Sequence, residues 1–253
     1  MVESAPMAAP DSLPIMLRDW RDVARLIDHT LLRPDVTAAQ IIQSCREAEH
    51  FLFAAVCVNP SHVALSVAQL RDTPVRVAVV IGFPLGATLT TAKRLEAQEA
   101  IRLGADELDM VMNVGALKAG ERRLVETDIR AVTQVAHDAG VLVKVILETT
   151  LLTHEEKRIA CDLSLAANAD FVKTSTGFGG GGATTADVAL MRRVVGNRAG
   201  VKASGGIRTA ADVAAMVAAG ADRIGTSSSV AIMAELRAPA LPGGATATQS
   251  GGY

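Results

Sequence analysis

The chain has 253 residues, of which 49% are hydrophobic and 21% charged, so it can bury one sizeable core. Its formal net charge at pH 7 is -2 and it carries no basic stripe, which disfavours nucleic acid as a partner. The apolar runs are of strand length, far below a membrane span, so we expect no membrane association.

The first 17 residues are acidic and contain prolines, whereas a secretory signal would be basic and then continuously apolar. We predict a flexible tail here and a second one over residues 238–253, on either side of a single domain at 18–237. The three cysteines, Cys45, Cys57 and Cys161, form no CxxC pair, and their odd number favours reduced thiols. These features predict a cytoplasmic protein.

Short runs rich in Val, Ile and Leu alternate with helical segments along the domain. The first candidate strand, Leu26–Leu31, ends before the turn-like sequence Arg33-Pro34-Asp35. Seven further runs are typical of buried parallel strands. They are Phe53–Val58, Val75–Ile81, Glu107–Val111, Val141–Leu147, Phe171–Thr174, Val201–Ser204 and Arg223–Gly225. Eight strands separated by helices predict an α/β fold, a single TIM (β/α)8 barrel.

The helical segments carry recognisable faces and ends. Between Val125 and Ala139 apolar residues recur every three or four positions, and Gly140 follows as a C-terminal signal. Thr184 and Thr209 each precede an aspartate by three residues, which predicts capping boxes at two helix starts.

Three of the predicted strands carry charged residues that are candidates for chemistry, near the ends where barrel active sites form. Alternation puts Glu107 and Asp109 on one side of their strand, and Lys173 and Lys202 occupy equivalent places on two successive strands. Two ammonium groups at one cavity would lower the pKa of one amine, while Asp109 holds the other charged. The alternative is that both lysines merely reach solvent at strand ends, with Asp109 as a salt-bridge partner.

Two loops rich in glycine and hydroxyl groups follow the seventh and eighth strands. They contain Gly205 and Gly206 in one and Ser227 and Ser228 in the other, where TIM barrels commonly bind phosphate. The alternative is that the glycines serve only tight turns. The five histidines show no metal-site spacing, and the run 177–182 is interpreted as a flexible loop, so we predict no metal and no cofactor.

Six segments together resemble the deoxyribose-phosphate aldolases, a family of class I aldolases, over about residues 20–235. The segments are Asp28-His29-Thr30-Leu31, Val56-Cys57-Val58-Asn59-Pro60, Ile81-Gly82-Phe83-Pro84-Leu85-Gly86, Glu107-Leu108-Asp109-Met110-Val111-Met112-Asn113, Phe171-Val172-Lys173-Thr174-Ser175-Thr176-Gly177-Phe178 and Val201-Lys202-Ala203-Ser204-Gly205-Gly206-Ile207-Arg208. The resemblance implies that Lys173 forms the Schiff base, that Lys202 perturbs this amine and that Asp109 joins a proton relay. It further implies a substrate-binding set made of Asp28, Thr30, Cys57, Thr176, Gly177, Gly205, Gly206, Ser227 and Ser228.

The implied reaction is reversible cleavage of 2-deoxy-D-ribose 5-phosphate into acetaldehyde and D-glyceraldehyde 3-phosphate, a lyase step of deoxyribose phosphate catabolism. Partners would be phosphorylated sugars and aldehydes, and a homodimer is one assembly that the sequence allows. Some related aldolases end in a tyrosine that reaches the active site, so Tyr253 is a further catalytic candidate. Other members carry a lysine at the position of Phe178, so phosphate here must rely on backbone dipoles, with Arg208 either assisting or facing solvent.

Two other hypotheses of function compete with the aldolase hypothesis. Another phosphate-binding barrel, such as an isomerase or a transaldolase-like enzyme, would keep the glycine loops, but an isomerase would not need two paired lysines. A catalytically silent sugar-phosphate-binding protein would not need Lys173, Lys202 and Asp109 either.

Overall fold

The computed structural model describes residues 19–238 of the chain. The predicted tails therefore lie outside the described residues, apart from Ala238, and so does Tyr253. All eight predicted strands form, and they pair in parallel and in chain order into a closed barrel, which confirms the predicted TIM barrel. The strands are β1 (Ile27–Leu31), β2 (Ala55–Val58), β3 (Arg76–Ile81), β4 (Glu107–Val111), β5 (Leu142–Ile146), β6 (Phe171–Lys173), β7 (Gly200–Ser204) and β8 (Arg223–Thr226).

Helices connect the strands and surround the barrel. Those described are α1 (Trp20–Ala24), α2 (Ala38–Phe51), α3 (Val63–Leu70), α4 (Thr90–Arg102), α5 (Val114–Lys118), α6 (Arg122–His137), α7 (His154–Ala166), α8 (Thr185–Val195), α9 (Ala210–Ala218) and α10 (Ser229–Arg237). Single turns of 3₁₀ helix occur at Pro60–His62 and Thr149–Leu151. Between residues 19 and 238, no helix is both long enough and apolar enough to cross a membrane.

Five strands are shorter than predicted, β2 and β5 by two residues each, because apolar residues beside a strand are also buried without joining it. Phe53 precedes β2 and is 2% exposed, yet its ring stacks on Phe51 at 5.4 Å between centroids. Val141 and Leu147 flank β5 in the same way, and both are buried. An apolar run therefore marks the core more reliably than it marks strand ends.

The helix starts follow the predicted capping only in part. At α9 the Thr209 hydroxyl accepts from the Asp212 backbone N–H while Asp212 accepts from the Thr209 N–H, a complete capping box. At α8 the Thr184 hydroxyl caps the Asp187 N–H, but the Asp187 carboxylate instead binds Lys157 at 2.5 Å. The prediction of a box at Thr184 was wrong because a helix α7 lysine competes for that carboxylate.

The inside of the barrel is divided by side-chain size. On β2 and β3 the inward residues Ala55, Cys57, Ala78 and Val80 are small and apolar. The alternate residues on the same strands, such as Val56 and Val79, pack outward into the core under the helices. Small residues on this side leave room for long charged side chains from the opposite strands.

Candidate active site

A cluster of charges, all buried except for the partly exposed Arg223, fills the space opposite β2 and β3. It is assembled by strand register, because Asp109 on β4 lies beside Lys144 on β5, and Lys173 on β6 beside Lys202 on β7. Parallel neighbours at the same level project side chains into the same layer of a barrel. The members are Asp28, Glu107, Asp109, Lys144, Lys173, Lys202 and Arg223.

Asp109 is the centre of the cluster. Its Oδ2 accepts hydrogen bonds from Lys173 Nζ at 2.8 Å and from Lys202 Nζ at 2.7 Å, and its Oδ1 accepts from Lys144 Nζ at 2.8 Å. Burial opposes ionisation of this carboxyl, but the three ammonium groups outweigh burial and hold its pKa well below the ordinary value. Asp109 is therefore ionised at rest, and it joins the two predicted lysines.

Lys202 is held in its charged form. It donates to both Asp109 and Asp28, and although burial disfavours the ammonium, these two carboxylates raise its pKa above the ordinary value. Gly225 on the neighbouring strand gives the side chain its path, since a Cβ at that position would lie 3.1 Å from Lys202 Cε. The second ammonium group predicted near Lys173 is thus in place and stays charged.

Two members of the cluster were not predicted from the sequence, Lys144 and Arg223. Lys144 Nζ donates to Glu107 Oε2 at 2.5 Å, and Arg223 Nε donates to Asp28 Oδ1 at 2.9 Å. Burial would raise the pKa of Asp28, but Lys202 and Arg223 lower it to about 2. These pairs occupy the layer below Lys173 and fix the charges around it.

Lys173 differs from the other cationic members in two respects. It has one carboxylate partner, Asp109, whereas Lys144 and Lys202 each have two. It is also the lysine of the cluster that lines a cavity of about 470 Å³ at the carboxyl ends of the strands. Of the cluster lysines, Lys173 is therefore the one placed to meet a bound molecule.

The part of this cavity lined by the loops after β7 and β8 has the character of an anion site. Gly205, Gly206, Ser227 and Ser228 line it, and α10 begins at Ser229, so N–H groups of the first helical turn are available to a ligand. Two guanidinium-bearing residues also line it, Arg208 and Arg33. Arg33 was missed from the sequence because the turn Arg33-Pro34-Asp35 was interpreted only as a strand end.

The remaining predicted substrate-binding residues separate into two groups. Thr30, Thr176 and Gly177 line the cavity. Asp28 and Cys57 are 0% exposed and lie instead within or against the charge cluster, with Cys57 Sγ 4.0 Å from Asp109 Oδ2. Burial is the main cause that raises the pKa of the Cys57 thiol.

The glycine run after Lys173 packs closely against two neighbouring loops. A Cβ at Gly179 would lie 2.6 Å from Glu148 Cδ, and a Cβ at Gly182 would lie 2.2 Å from the Gly205 carbonyl oxygen. Neither glycine could carry a side chain without moving its neighbours. The run interpreted as a flexible loop thus has a packing reason for its composition, and Glu148, which the sequence analysis missed, is its contact.

Two of the five histidines in the described region have side-chain hydrogen-bond partners. His29 binds Glu47 at 2.9 Å and Ser229 at 3.0 Å, and His137 binds Asp170 at 2.9 Å. Residues 19–238 contain no group of three or more His, Cys, Asp or Glu side chains arranged to hold a metal ion.

Comparisons with known proteins agree on one family. A family model described as "DeoC/LacD family aldolase" matches residues 23–234. The chain is 57% identical over 186 residues to a deoxyribose-phosphate aldolase of Halalkalibacterium halodurans, covering 73% of this chain and 83% of the relative. It is 55% identical over 212 residues to that of Bacillus mycoides, covering 84% and 95%. A solved tetrameric deoxyribose phosphate aldolase from Aeropyrum pernix is 35% identical, with a TM-score of 0.82 over 87% of this chain and 92% of that one.

Proposed function

The chain belongs to the DeoC/LacD family of aldolases, and we propose that Lys173 is the residue on which it cleaves 2-deoxy-D-ribose 5-phosphate. The reaction is reversible and yields acetaldehyde and D-glyceraldehyde 3-phosphate. The observation that carries the assignment is that Lys173 alone among the cluster lysines lines the cavity while touching Asp109. A Schiff base needs an amine that reaches the substrate and is neutral when it attacks.

Lys173 has the fewest carboxylate partners of the cluster cations. Lys144, Lys202 and Arg223 each contact two of the three carboxylates of Asp28, Glu107 and Asp109. Lys173 contacts Asp109 alone. Its amine is therefore held by fewer ion pairs than the other cations and is the one best placed to leave them and attack a carbonyl.

The reaction then uses this amine as follows. The Lys173 nitrogen attacks the C1 aldehyde of the sugar, and loss of water gives an iminium. The C3 hydroxyl releases its proton, the C2–C3 bond breaks, and its electron pair moves toward the iminium nitrogen, which releases glyceraldehyde 3-phosphate and leaves an enamine. Protonation of the enamine at C2 and hydrolysis release acetaldehyde and restore the lysine. The iminium is the electron sink, so the mechanism calls for no metal.

Asp109 and Lys202 support these proton transfers. Because Asp109 Oδ2 contacts both amines, a proton can pass between Lys173 and Lys202 along one carboxylate oxygen. The persistent Lys202 charge disfavours a second ammonium at Lys173. These roles match those that the family resemblance assigns.

The phosphate is proposed to bind at the loops after β7 and β8. The loops with Gly205, Gly206, Ser227 and Ser228 offer backbone and hydroxyl donors at the start of α10. Arg33 and Arg208 supply positive charge where Phe178 replaces the lysine of other members. The substrate would thus lie with C1 at Lys173 and its phosphate at these loops.

The cellular setting and assembly are proposals as well. Cys45, Cys57 and Cys161 are free and buried, which is compatible with a reducing cytoplasm, and the net charge of -2 gives no reason to invoke nucleic acid. For assembly we retain the homodimer, which light scattering of the purified protein tests, with a tetramer like that of the Aeropyrum pernix relative as the alternative outcome.

The experiment for the proposed function is direct. The purified chain is given 2-deoxyribose 5-phosphate in excess EDTA, and acetaldehyde and glyceraldehyde 3-phosphate are measured. We expect wild-type turnover, turnover in the surface control Lys118→Ala, whose side chain is 45% exposed, and none in Lys173→Ala. Activity in Lys173→Ala, or activity that appears only when a metal is added, would overturn the proposal.

A further inference from the structure

Glu148 is a buried carboxylate that the mechanism above does not use. It follows β5, is 3% exposed, and has a left-handed backbone with φ of 56°, a conformation that non-glycine residues rarely adopt. Within residues 19–238 its carboxylate has no ion-pair partner, and its hydrogen bonds go to a single residue, Thr176. Strained backbone and a carboxylate without a cation are both uncommon in a core, and here they occur together beside the cavity.

The contacts fix the direction of the Thr176 hydroxyl. Glu148 accepts the Thr176 backbone N–H at 3.2 Å and is also in short contact with the Thr176 hydroxyl, which donates its one hydrogen to the carboxylate. The same hydroxyl oxygen accepts the Phe178 backbone N–H at 3.0 Å. A threonine hydroxyl has one hydrogen and two lone pairs, so the hydrogen and one lone pair are occupied. Toward a ligand, Thr176 can therefore only accept.

An acceptor at this place selects one group of the substrate. Thr176 lies three residues after Lys173 and lines the same cavity as the glycine and serine loops. With C1 at Lys173 and the phosphate at those loops, as proposed above, Thr176 is left to meet the carbons between them. The groups there are the C3 and C4 hydroxyls. The C3 hydroxyl must give up its proton during cleavage, which a threonine oxygen cannot take over. The C4 hydroxyl keeps its proton and is the donor that fits.

We propose that Glu148 is a positioning residue that holds the Thr176 hydroxyl as a hydrogen-bond acceptor for the C4 hydroxyl of the sugar. The inference rests on the proposed function and adds to it a residue that sets specificity for a hydroxylated acceptor aldehyde. Gly179 belongs to the same arrangement, since only a residue without Cβ lets the loop close over the carboxylate.

The test uses the synthetic direction, with acetaldehyde as donor. Two acceptors are compared: glyceraldehyde 3-phosphate, whose 2-hydroxyl becomes the C4 hydroxyl, and 3-oxopropyl phosphate, which lacks it. Sites built to hydrogen-bond a substrate hydroxyl reject the analogue strongly, so the wild-type ratio of kcat/KM values should be large. In Glu148→Met the Thr176 hydroxyl loses its acceptor, its hydrogen can turn toward the cavity, and the ratio should fall at least ~10-fold.

Variants at Thr176 provide the matched comparisons. Thr176→Val should lose the ratio to the same extent, Thr176→Ser should keep it, and the double variant Glu148→Met/Thr176→Val should fall no further than either single variant. The matched change at an exposed carboxylate, Glu155→Met, should leave it unchanged. Independently of activity, amide hydrogen exchange at Thr176 and Phe178 should be ~10-fold faster in Glu148→Met.

The outcomes separate this inference from the proposed function. An unchanged ratio in folded Glu148→Met and Thr176→Val, or losses that add in the double variant, would overturn the role of Glu148 while the aldolase assignment stands. A wild-type protein that cannot condense acetaldehyde with glyceraldehyde 3-phosphate would overturn the proposed function itself. Unaltered exchange at Thr176 and Phe178 would contradict the contact on which the inference depends.

Discussion

Replacing Lys202 by methionine removes the charged nitrogen and keeps an unbranched side chain up to the carbon that carried it. In the wild type, Lys173 and Lys202 donate to the same oxygen of Asp109, at 2.8 and 2.7 Å. Two ammonium groups so placed are about 5 Å apart and, at an effective dielectric constant of about 20, repel each other by about 3 kcal/mol. Without Lys202 that repulsion disappears, and the three carboxylates are balanced only when Lys173 is charged.

The expected consequence is a shift in the pH dependence of the rate. Turnover needs neutral Lys173, and the neutral fraction grows as pH rises, so removing the like charge moves the rising limb to higher pH. About 3 kcal/mol corresponds to about two pH units, or a loss of about 100-fold in kcat/KM at pH 7. The assay is a profile of kcat/KM for 2-deoxyribose 5-phosphate from pH 6 to pH 10, in which the loss in Lys202→Met should shrink as pH rises.

A second buried lysine supplies the control. Lys93 is 0% exposed and binds Asp128 at 2.5 Å, outside the cluster, so Lys93→Met imposes a comparable loss of a buried ion pair without touching the site. It should leave the profile in place even if it lowers stability. Wild-type kcat at neutral pH in Lys202→Met would refute the electrostatic argument, and so would a loss of equal size at every pH.

Three further changes test other parts of the site. Ser228→Asp should raise KM for 2-deoxyribose 5-phosphate at least ~10-fold but scarcely alter cleavage of unphosphorylated deoxyribose, because the new charge repels only the phosphate, and Ser228→Asn is the uncharged control. Equal effects on both substrates would indicate general disruption. Arg33→Gln should raise the same KM by about threefold, a modest effect because the side chain is 61% exposed, and an unchanged KM would remove Arg33 from the phosphate site. Deleting 251–253 should lower kcat and slow deuterium exchange into acetaldehyde if Tyr253 relays a proton to the enamine, and full rates of both would show that it does not.

The barrel was predictable because each strand is buried on both faces and so forms a continuous apolar run. Even β1, with Asp28 and His29 inside it, was found because seven other strands required an eighth. The ends of β2 and β5 were not predictable from the same signal, since Phe53 and Leu147 are as buried as strand residues. Burial and strand pairing are separate properties, and hydrophobicity reports only the first.

The charge cluster was predicted in part. Lys173, Lys202 and Asp109 come together as expected, and the predicted adjacency of the two lysines is exact in the strand register. Lys144 gave the same signal, a lysine inside an apolar strand, but the sequence does not state which residues of a closed barrel share a layer. That information lies in the stagger between strands, which only the folded chain defines.

Contacts between loops were the hardest to foresee. Glu148 meets Thr176 across 28 positions of sequence, and its left-handed backbone has no signature in the residue type. The glycine run offered one usable signal, since several consecutive glycines after an apolar strand suggest close approach of another backbone. The structure identifies the partners of Gly179 and Gly182 as Glu148 and Gly205.

Trapping of the Schiff base identifies the lysine that reacts with the substrate. Sodium borohydride is added to the protein together with 2-deoxyribose 5-phosphate or acetaldehyde, which reduces the iminium to a stable secondary amine, and the modified peptide is sequenced by mass spectrometry. We expect the protein to be inactivated and the mass of the reduced adduct to be found on Lys173. An adduct on Lys202 or Lys144, or full activity after reduction, would contradict this expectation.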